Sequence, residues 1–447
     1  MSKLPSRALF ERAFSRINIE EVVSNHTSTH TARGMDGAGY DVFIRDLEKH
    51  VAIIEQKALN GSYKFTPYRE KLILKGSDSL PRKVSIPTIR DRVALRCLNN
   101  FLCQVFPECR PPHAHPIVSK AVQAFGRATP DDSFVKLDVK GFYDCIDHSI
   151  LLRQLKKRIR HEPAIRLVSD AIKTPTGSRS KDNKKNTIGV PQGLSISNIL
   201  ASIYMLDVDV EYNSKLDVDY HRYVDDILLR TASAEAVHIE KQLSKKLKTA
   251  RKLLTHPLGS GKSAIHQFGE NVSYLGYSFN GSVISVREAS IKKMMTSLMR
   301  IIAGINDGNV EKSIWRLNLR ISGCRIQGGN VGWLFYFSQI NDHKVLFRLD
   351  KQIEARLSAV GRGELYSRCK RFIKAHREIR TDFKNTSYVF DFDTFSRDQM
   401  LSAIYLIRPE SKGRFDKKND TEIRKVFFRT MYREAREMEK DTLGSFS

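Results

Sequence analysis

Apolar and polar residues alternate along two short segments near the middle of the chain, and both segments carry acidic residues. In residues 134–139, Val135, Leu137 and Val139 share one face of a predicted strand, and Asp138 lies on the other face with Lys136. In residues 223–229, Asp225 and Asp226 stand side by side between apolar flanks. Placing carboxylates in apolar strands costs folding free energy unless they are paired with cations or are ionised for a functional purpose. The pattern therefore predicts two strands that present acidic side chains.

Around these strands the pattern predicts alternating helices and short strands, followed by a mostly helical end. Helices are predicted over 8–23, 41–59 (ended by Asn60-Gly61), 88–106, 148–160, from 195 or 197 to about 210, over 235–254, and from 287 onward. Extended segments are predicted over 63–76 and 82–87, joined by a turn at 76–79, and a hairpin is predicted to begin at 274–279. Residues 178–186 are predicted to form a basic loop. Asp147 is expected to cap the helix over 148–160, because its side chain can accept hydrogen bonds from free amides of the first turn.

Composition adds a preference for polyanions. The chain has 447 residues, of which 41% are apolar, and its formal net charge is +25. Such an excess of cations suits a phosphate backbone, although a solvated basic surface is the simpler reading. None of the six cysteines forms a C-x-x-C pair, and we find no apolar signal segment or membrane span. We therefore expect a cytoplasmic protein with reduced thiols and no membrane partner.

Three carboxylates on two strands suggest metal-assisted chemistry. Asp138, Asp225 and Asp226 can together hold a pair of Mg²⁺ ions, which prefer hard oxygen ligands. Such a pair can activate a primer hydroxyl and stabilise a pyrophosphate leaving group. An ordinary carboxylate at a strand end is the alternative for Asp138. Polynucleotide polymerases with a palm domain are the protein class that explains both segments and their order.

Several motifs occur in the order in which one family has them. They are Gly34-Met35-Asp36-Gly37, the segment 86–92, the segment 138–143, Pro191-Gln192-Gly193, Tyr223-Val224-Asp225-Asp226 and Tyr274-Leu275-Gly276. The set resembles the bacterial reverse transcriptases that include the group II intron, retron and abortive-infection enzymes. The resemblance covers about residues 30–285 and continues more weakly beyond them. It implies an RNA-directed DNA polymerase, a nucleotidyltransferase that copies an RNA template into DNA from deoxynucleotides.

The resemblance also implies a fold and its divisions. We expect an α+β right-hand polymerase whose palm is an antiparallel sheet packed on helices. The expected parts are an N-terminal region with fingers over 1–133, a palm with interleaved fingers segments over 134–285, a helical thumb over 286–360 and a basic helical extension over 361–447.

The resemblance assigns the metal ligands to particular positions. Asp138 and Asp225 are expected to be the main ligands of two Mg²⁺ ions, and Asp226 a weaker participant. The main-chain carbonyl of Val139 should complete one coordination sphere, and Mn²⁺ is a plausible substitute. Consecutive residues of a strand face opposite ways, so Asp225 and Asp226 need a tight turn to reach the same metals.

Nucleotide contacts are implied as well. Tyr143, five residues after Asp138, stands where the family places a bulky gate that excludes a ribose 2′-hydroxyl; a core aromatic is the alternative. Gln192 and Gly193 resemble the loop that holds the incoming nucleotide and the template base; the alternative is a simple turn.

Three cations and one hairpin complete the predicted site. Lys75 and Arg82 on the fingers hairpin are expected to grip the triphosphate, with solvated charges as the alternative. Lys262 resembles the lysine near the leaving pyrophosphate, as a general acid or a phosphate contact, and a surface lysine is the alternative. Tyr274, Leu275 and Gly276 resemble the primer grip, although its aromatics can equally be core residues.

The segment after Gly193 bears on the subgroup. Residues 194–200 read Leu-Ser-Ile-Ser-Asn-Ile-Leu, which is similar to abortive-infection and other defence-associated enzymes rather than to group II intron enzymes. Retron marks are missing, and no Cys/His-rich cassette follows the thumb. We therefore expect a role in phage defence with a dedicated noncoding RNA. The alternatives are a retron-like enzyme making RNA-linked DNA, a template-independent protein-primed polymerase, and a catalytically silent RNA-binding palm protein.

Overall fold

The computed structural model describes residues 5–26, 32–74, 81–110, 114–177, 185–383 and 385–442. It forms two compact units, the first from residues 1–117 and 131–267 and the second from residues 118–130 and 268–447. Both contain helices and antiparallel strands, so the predicted α+β class is confirmed. The predicted division into fingers, palm, thumb and extension stays a prediction. No helix within the described ranges has the length and apolarity needed to cross a bilayer.

Helices and strands of the first unit bracket a sheet near its centre. In chain order they are α1 Ser6–Ala13, α2 Arg16–His26, α3 Tyr40–Arg45, α4 Leu47–Leu59, β1 Tyr68–Ile73, β2 Arg82–Ile86, α5 Ile89–Val105, the start of α6 Ala114–Arg127, β3 Asp132–Asp138, α7 His148–Lys156, α8 Glu162–Lys173, β4 Thr176–Gly177, α9 Ser197–Asn213, β5 Asp219–Tyr223, β6 Asp226–Ala232, α10 Ala236–Arg251 and β7 Ala264–Gln267.

The second unit is mostly helical, as predicted, but it also holds two small sheets. Its elements are the end of α6, then β8 Asn271–Tyr274, β9 Tyr277–Asn280, β10 Val283–Val286, α11 Glu288–Ala303, α12 Val310–Ser322, β11 Cys324–Ile326, β12 Gly329–Val331, α13 Trp333–Tyr336, α14 His343–Ala359, α15 Phe372–Thr381, β13 Phe390–Asp391, α16 Arg397–Ile407 and α17 Asp420–Thr442. The strand orders are β10-β9-β8 and β12-β11-β13.

A four-stranded sheet in the order β5-β6-β3-β7 forms the centre of the first unit. All its neighbouring strands are antiparallel. The predicted apolar face of β3 is confirmed, because Val135 and Leu137 are fully buried in the core with Ile227 and Leu229 of β6. Burying a valine or leucine side chain contributes about 1.5–3 kcal/mol. This burial fixes which face of β3 remains for Asp138.

A second sheet of the first unit contains the predicted fingers hairpin. Strands β1 and β2 pair antiparallel, and the short strand β4 joins β1 in parallel. The predicted strand over 82–87 is confirmed as β2, whereas the extended segment over 63–76 forms a strand only over Tyr68–Ile73. The predicted turn at 76–79 lies outside the described residues, as does most of the predicted loop over 178–186.

The helix predicted over 8–23 is two helices, because tertiary contacts interrupt it. The hydroxyl of Ser15 donates to the Arg12 carbonyl at 2.9 Å. The amide of Arg16, which would continue the helix, donates instead to the Glu55 carboxylate of α4 at 3.0 Å. A pattern read along one helix cannot reveal such a partner. The helix predicted over 41–59 is likewise divided, at Asp46, into α3 and α4.

The predicted cap at Asp147 is confirmed, although its helix α7 ends at Lys156 rather than at residue 160. One carboxylate oxygen of Asp147 accepts hydrogen bonds from the amides of Ser149 and Ile150 at 2.9 and 3.0 Å. The other oxygen pairs with the Lys252 ammonium at 2.6 Å. That Lys252 hydrogen bond, with the two amides, holds the pKa of Asp147 below its usual value. A cap of this kind stabilises a helix by about 1 kcal/mol.

Candidate active site

A two-residue turn between β5 and β6 carries the adjacent carboxylates. Tyr223 pairs with Asp226, which leaves Val224 and Asp225 at the tip of the hairpin. Val224 has a φ of 56°, a left-handed conformation that is unfavourable for a β-branched residue and costs about 1–3 kcal/mol. The Arg222 guanidinium donates to the Val224 carbonyl at 2.9 Å. The tight turn that Asp225 and Asp226 were predicted to need is therefore present.

Asp138 lies at the same end of the sheet as this turn. Its partner in the β3–β6 register is Asp226. The amide of Val139 donates to the Asp225 carbonyl at 3.1 Å, so the main chains that carry Asp138 and Asp225 are directly bonded. The structure thus brings together the main chains of the three acidic residues that the sequence singled out, from segments more than eighty residues apart.

Two nitrogen groups contact the Asp138 carboxylate. His256 Nε2 lies 3.2 Å and Lys262 Nζ 3.6 Å from the same Asp138 oxygen. Burial, reinforced by the Lys262 charge, lowers the pKa of His256. The amide of Asp138 donates to the hydroxyl of the buried Ser263 at 3.1 Å. Lys262 thus lies next to Asp138, and its predicted contact with the leaving pyrophosphate stays a prediction.

The donor set fits Mg²⁺ in its chemistry, because it consists of carboxylate and main-chain oxygens at one sheet end. Within the described residues, no group of three or more aspartate, glutamate, histidine or cysteine side chains is arranged so that it could hold a metal ion. The Asp138 carboxylate is contacted instead by the His256 ring and the Lys262 ammonium. The ligand roles of Asp138, Val139, Asp225 and Asp226 stay predictions.

Tyr143 lies beside the carboxylates. It follows Gly141, whose φ of 53° starts a 3-10 turn over Phe142–Cys145. Its hydroxyl donates to Asn198 Oδ1 at 2.6 Å. Burial raises the pKa of Tyr143, and the nearby charge of Asp225 raises it further. The side chain is partly buried, and its role as a gate stays a prediction.

The Pro191–Gly193 loop packs directly against the fingers strand β2. The amide of Ser85 donates to the Gln192 carbonyl at 2.7 Å. Gly193 has a φ of 98°, and a Cβ there would lie 2.6 Å from Val84 Cγ1 and 3.1 Å from the Ser85 carbonyl oxygen. Glycine is therefore required at residue 193 by both conformation and space. The predicted nucleotide contacts of Gln192 and Gly193 are not tested by this packing.

The remaining predicted residues have different outcomes. Arg82 is the first residue of β2 and is exposed. Its charge opposes the rise in the pKa of Tyr143, so Arg82 lies near Tyr143. Lys75 lies outside the described residues. In the second unit, Leu275 and Gly276 form the turn between β8 and β9, with φ values of 49° and 80°. Tyr274 is buried there, which favours the core alternative for its ring; the primer-grip role stays a prediction.

Sequence reasoning missed three residues that shape this site. His256 and Asn198 contact Asp138 and Tyr143, and Arg222 supports the carboxylate turn through Val224. His256 belongs to none of the motifs, and Asn198 lies in the segment 194–200, which indicated a subgroup but no contact with Tyr143. Arg222 could have been suspected, since a cation that directly precedes the Tyr-x-Asp-Asp string can pair within its own hairpin.

The antiparallel sheet, with acidic residues at the ends of its central strands β3 and β6, has the arrangement expected of a polymerase palm. Residues 73–279 match the family described as reverse transcriptase (RNA-dependent DNA polymerase), so this part of the chain is similar to reverse transcriptase domains. The expected relationship to group II intron enzymes is confirmed, because the relatives include group II intron-encoded proteins.

Curated relatives match over part of their length. The group II intron-encoded protein LtrA of Lactococcus lactis is 26% identical over 36% of this chain and 28% of its own length. The putative COX1/OXI3 intron 1 protein of Saccharomyces cerevisiae is 27% identical over 33% of this chain and 18% of its own. The chain thus spans less than a third of these relatives. A solved telomerase from Candida albicans has a TM-score of 0.42 at 14% identity, over 90% of this chain and 68% of that one.

Proposed function

We propose that this chain is an RNA-directed DNA polymerase that adds deoxynucleotides to a primer on an RNA template. One observation carries the proposal. The register of β3 with β6 and the Val139–Asp225 hydrogen bond bring Asp138 and the Asp225 turn to one point, within the part of the chain that is similar to reverse transcriptase domains. A catalytically silent palm protein would have no need for a strained turn that presents two carboxylates.

Asp138 and Asp225, with the Val139 carbonyl, would hold two Mg²⁺ ions, and Asp226 would contribute less. When bound, such ions stabilise the charge that develops in the in-line attack of a 3′-hydroxyl on the α-phosphate. The protein's part is to hold the oxygens in place, and the bonded main chains of β3 and the turn do this. Positioning of this kind supplies much of the acceleration in phosphoryl transfer.

Lys262 has the freedom to follow the reaction. Its side chain is 59% exposed and lies 3.6 Å from Asp138, so it can exchange that contact for one with a phosphate. At the leaving pyrophosphate it would donate a proton or neutralise charge. Arg82, and Lys75 on the same hairpin, would hold the rest of the triphosphate, Gln192 and Gly193 would line the nucleotide, and Tyr143 would lie beneath its sugar.

The direct test is primer extension. The purified chain, given a DNA primer annealed to an RNA template, deoxynucleotides and Mg²⁺, should extend the primer, and a chelator should stop it. Absence of extension on annealed primers, together with absence of DNA attached to RNA or to the protein, would falsify the proposal. DNA joined to RNA would instead indicate the retron-like reading, and DNA joined to the protein the protein-primed reading.

A stripe of exposed cations supports an RNA partner. Lys425, Arg429 and Arg433 are exposed on α17 and are spaced four residues apart, so they lie on one face with about 6 Å along the helix between each and the next. The opposite face of α17 is buried in the C-terminal core. Within the described residues no carboxylate forms an ion pair with these three side chains. We call them the basic stripe and propose that they bind the phosphate backbone of a structured RNA.

The basic stripe should reveal itself in the salt dependence of RNA binding. Replacing Lys425, Arg429 and Arg433 together by glutamine should reduce the slope of log K against log salt by about 2 to 3, because each phosphate contact contributes about 0.7–0.9. The measurement is a titration of a labelled RNA hairpin at several salt concentrations.

The matched control removes the same charge from separate helices. Lys57, Lys156 and Lys344 are exposed on α4, α7 and α14, and their joint replacement by glutamine should leave the slope nearly unchanged. An equal change of slope in both triple variants would show that net charge, rather than the basic stripe, governs binding.

We further propose that the enzyme serves phage defence, with a dedicated noncoding RNA as template or scaffold. The support is the segment 194–200, which is similar to defence-associated enzymes and departs from the string of group II intron enzymes. The functional readout is protection of cells from phage by the active chain but not by a chain that lacks the Asp225 and Asp226 carboxylates.

A further inference from the structure

The hydroxyl of Tyr143 has a partner that its role as a gate does not require. A gate needs only the bulk of the ring, which phenylalanine would supply equally well. Here the hydroxyl donates to Asn198 Oδ1 at 2.6 Å, a short and strong geometry for an O–H donor. Because Tyr143 is partly buried, with its pKa raised by that burial, an unpartnered hydroxyl would be costly.

Asn198 is well placed to act as a fixed anchor. It is the second residue of α9, and the Ser197 hydroxyl ties the start of that helix to the Pro191 carbonyl at 2.7 Å. The main chain that carries Asn198 is thereby joined to the loop that contains Gly193. Asn198 and Gly193 also line one cavity of about 400 Å³. One side chain therefore connects the gate with the proposed nucleotide loop.

Tyr143 is held both by its main chain and by its hydroxyl. Its main-chain carbonyl accepts from the Val190 amide at 2.8 Å, and its hydroxyl is held by Asn198. Without the second contact the ring can rotate about its side-chain bonds, and a displacement of about 1 Å is enough to change catalysis at a reacting centre. The gate would then admit a 2′-hydroxyl part of the time.

We propose that Asn198 is a positioning residue that sets the choice between deoxyribose and ribose by fixing the Tyr143 ring. The inference rests on the proposed polymerase function and adds a residue to it. A neutral hydrogen bond of this kind biases a two-state equilibrium by about 2- to 10-fold. The loss of selectivity on breaking it should be of that size, which is smaller than the loss on removing the ring.

The test is a double-mutant cycle read out as selectivity. Variants Asn198→Leu, Tyr143→Phe and the double variant are compared with the unmodified chain on one primer–template. The measured quantity is kcat/KM for a deoxynucleotide divided by kcat/KM for the matching ribonucleotide. Each single variant should lower the ratio about 2- to 10-fold, and the double variant should lower it no further, because both changes break one hydrogen bond.

Two controls separate positioning from a structural role. Asn198→Asp keeps an acceptor oxygen and should keep the ratio, even if its charge weakens both nucleotides alike. Asn213→Leu changes an exposed asparagine at the other end of α9 and should leave the ratio unchanged. A merely structural effect would lower both kcat/KM values together and would not alter their quotient.

Results that contradict the role of Asn198 can be told apart from results that contradict the polymerase function. Active variants with an unchanged ratio, or independent effects that multiply in the double variant, overturn the role of Asn198 and leave the polymerase function standing. If Asn198→Leu fails to fold, Tyr143→Phe decides alone, since an unchanged ratio there removes any role for the hydroxyl. An unmodified chain that adds no nucleotide overturns the proposed function and this inference with it.

Discussion

The variant in which Asp225 and Asp226 are both alanine should fold normally and add no deoxynucleotide. Both residues belong to the turn that meets Asp138 across the β3–β6 pair, so their loss would remove oxygens from both proposed metal positions. Metal stabilisation of the transition state is worth several kcal/mol, and each 1.36 kcal/mol corresponds to a tenfold change in rate. We expect activity to fall by at least about 1,000-fold in primer extension.

Folding and activity have to be separated in that experiment. Removal of two neighbouring carboxylates relieves like-charge repulsion, so the thermal unfolding midpoint of the variant should not fall. Asp217→Ala removes an exposed carboxylate before β5 and should keep full activity. In cells the double variant should also lose protection against phage. Undiminished DNA synthesis by the folded double variant would refute the site assignment.

Tyr143→Ala should open the enzyme to ribonucleotides. The ring is the bulky group beside Asp225, and truncation leaves space for a 2′-hydroxyl beneath the sugar. A steric pocket of this size discriminates by about 10- to 100-fold, so ribonucleotide use should rise by that factor relative to deoxynucleotide use. Competition between the two nucleotides on one primer–template measures it directly.

The pH dependence gives an independent check on the gate. Because burial and Asp225 raise the pKa of Tyr143, the phenol keeps its proton throughout the range from about pH 7 to 9. The sugar preference of the unmodified chain should therefore be constant over that range, even where the overall rate changes. A sugar preference that Tyr143→Ala leaves intact would remove the gate role.

The sequence pattern was sufficient to predict those elements whose structure depends on residues close together in the chain. The alternation in residues 134–139 predicted a strand with Asp138 opposite the buried face, and that face is buried in β3. Asp147 was expected to cap the next helix, and it does so. Both predictions depend on periods and caps that span only a few residues.

Contacts between distant segments lay beyond such reasoning. Glu55 takes the amide of Arg16 and divides a helix that its own periodicity predicts as continuous. His256 contacts Asp138, and Asn198 contacts Tyr143, although no pattern in the sequence predicts either contact. These partners are set by how strands and helices pack, and a single sequence does not record that packing.

The sequence by itself determined the identity and order of the acidic strands, the helical cap and the resemblance to reverse transcriptases. Only the tertiary structure decided the register that sets Asp138 opposite Asp226, and the left-handed Val224 that turns Asp225 toward β3. The physical reason is that hydrophobic periodicity is a property of each segment alone. Register and strained turns are fixed by the partner strand and by contacts such as that of Arg222 with the turn.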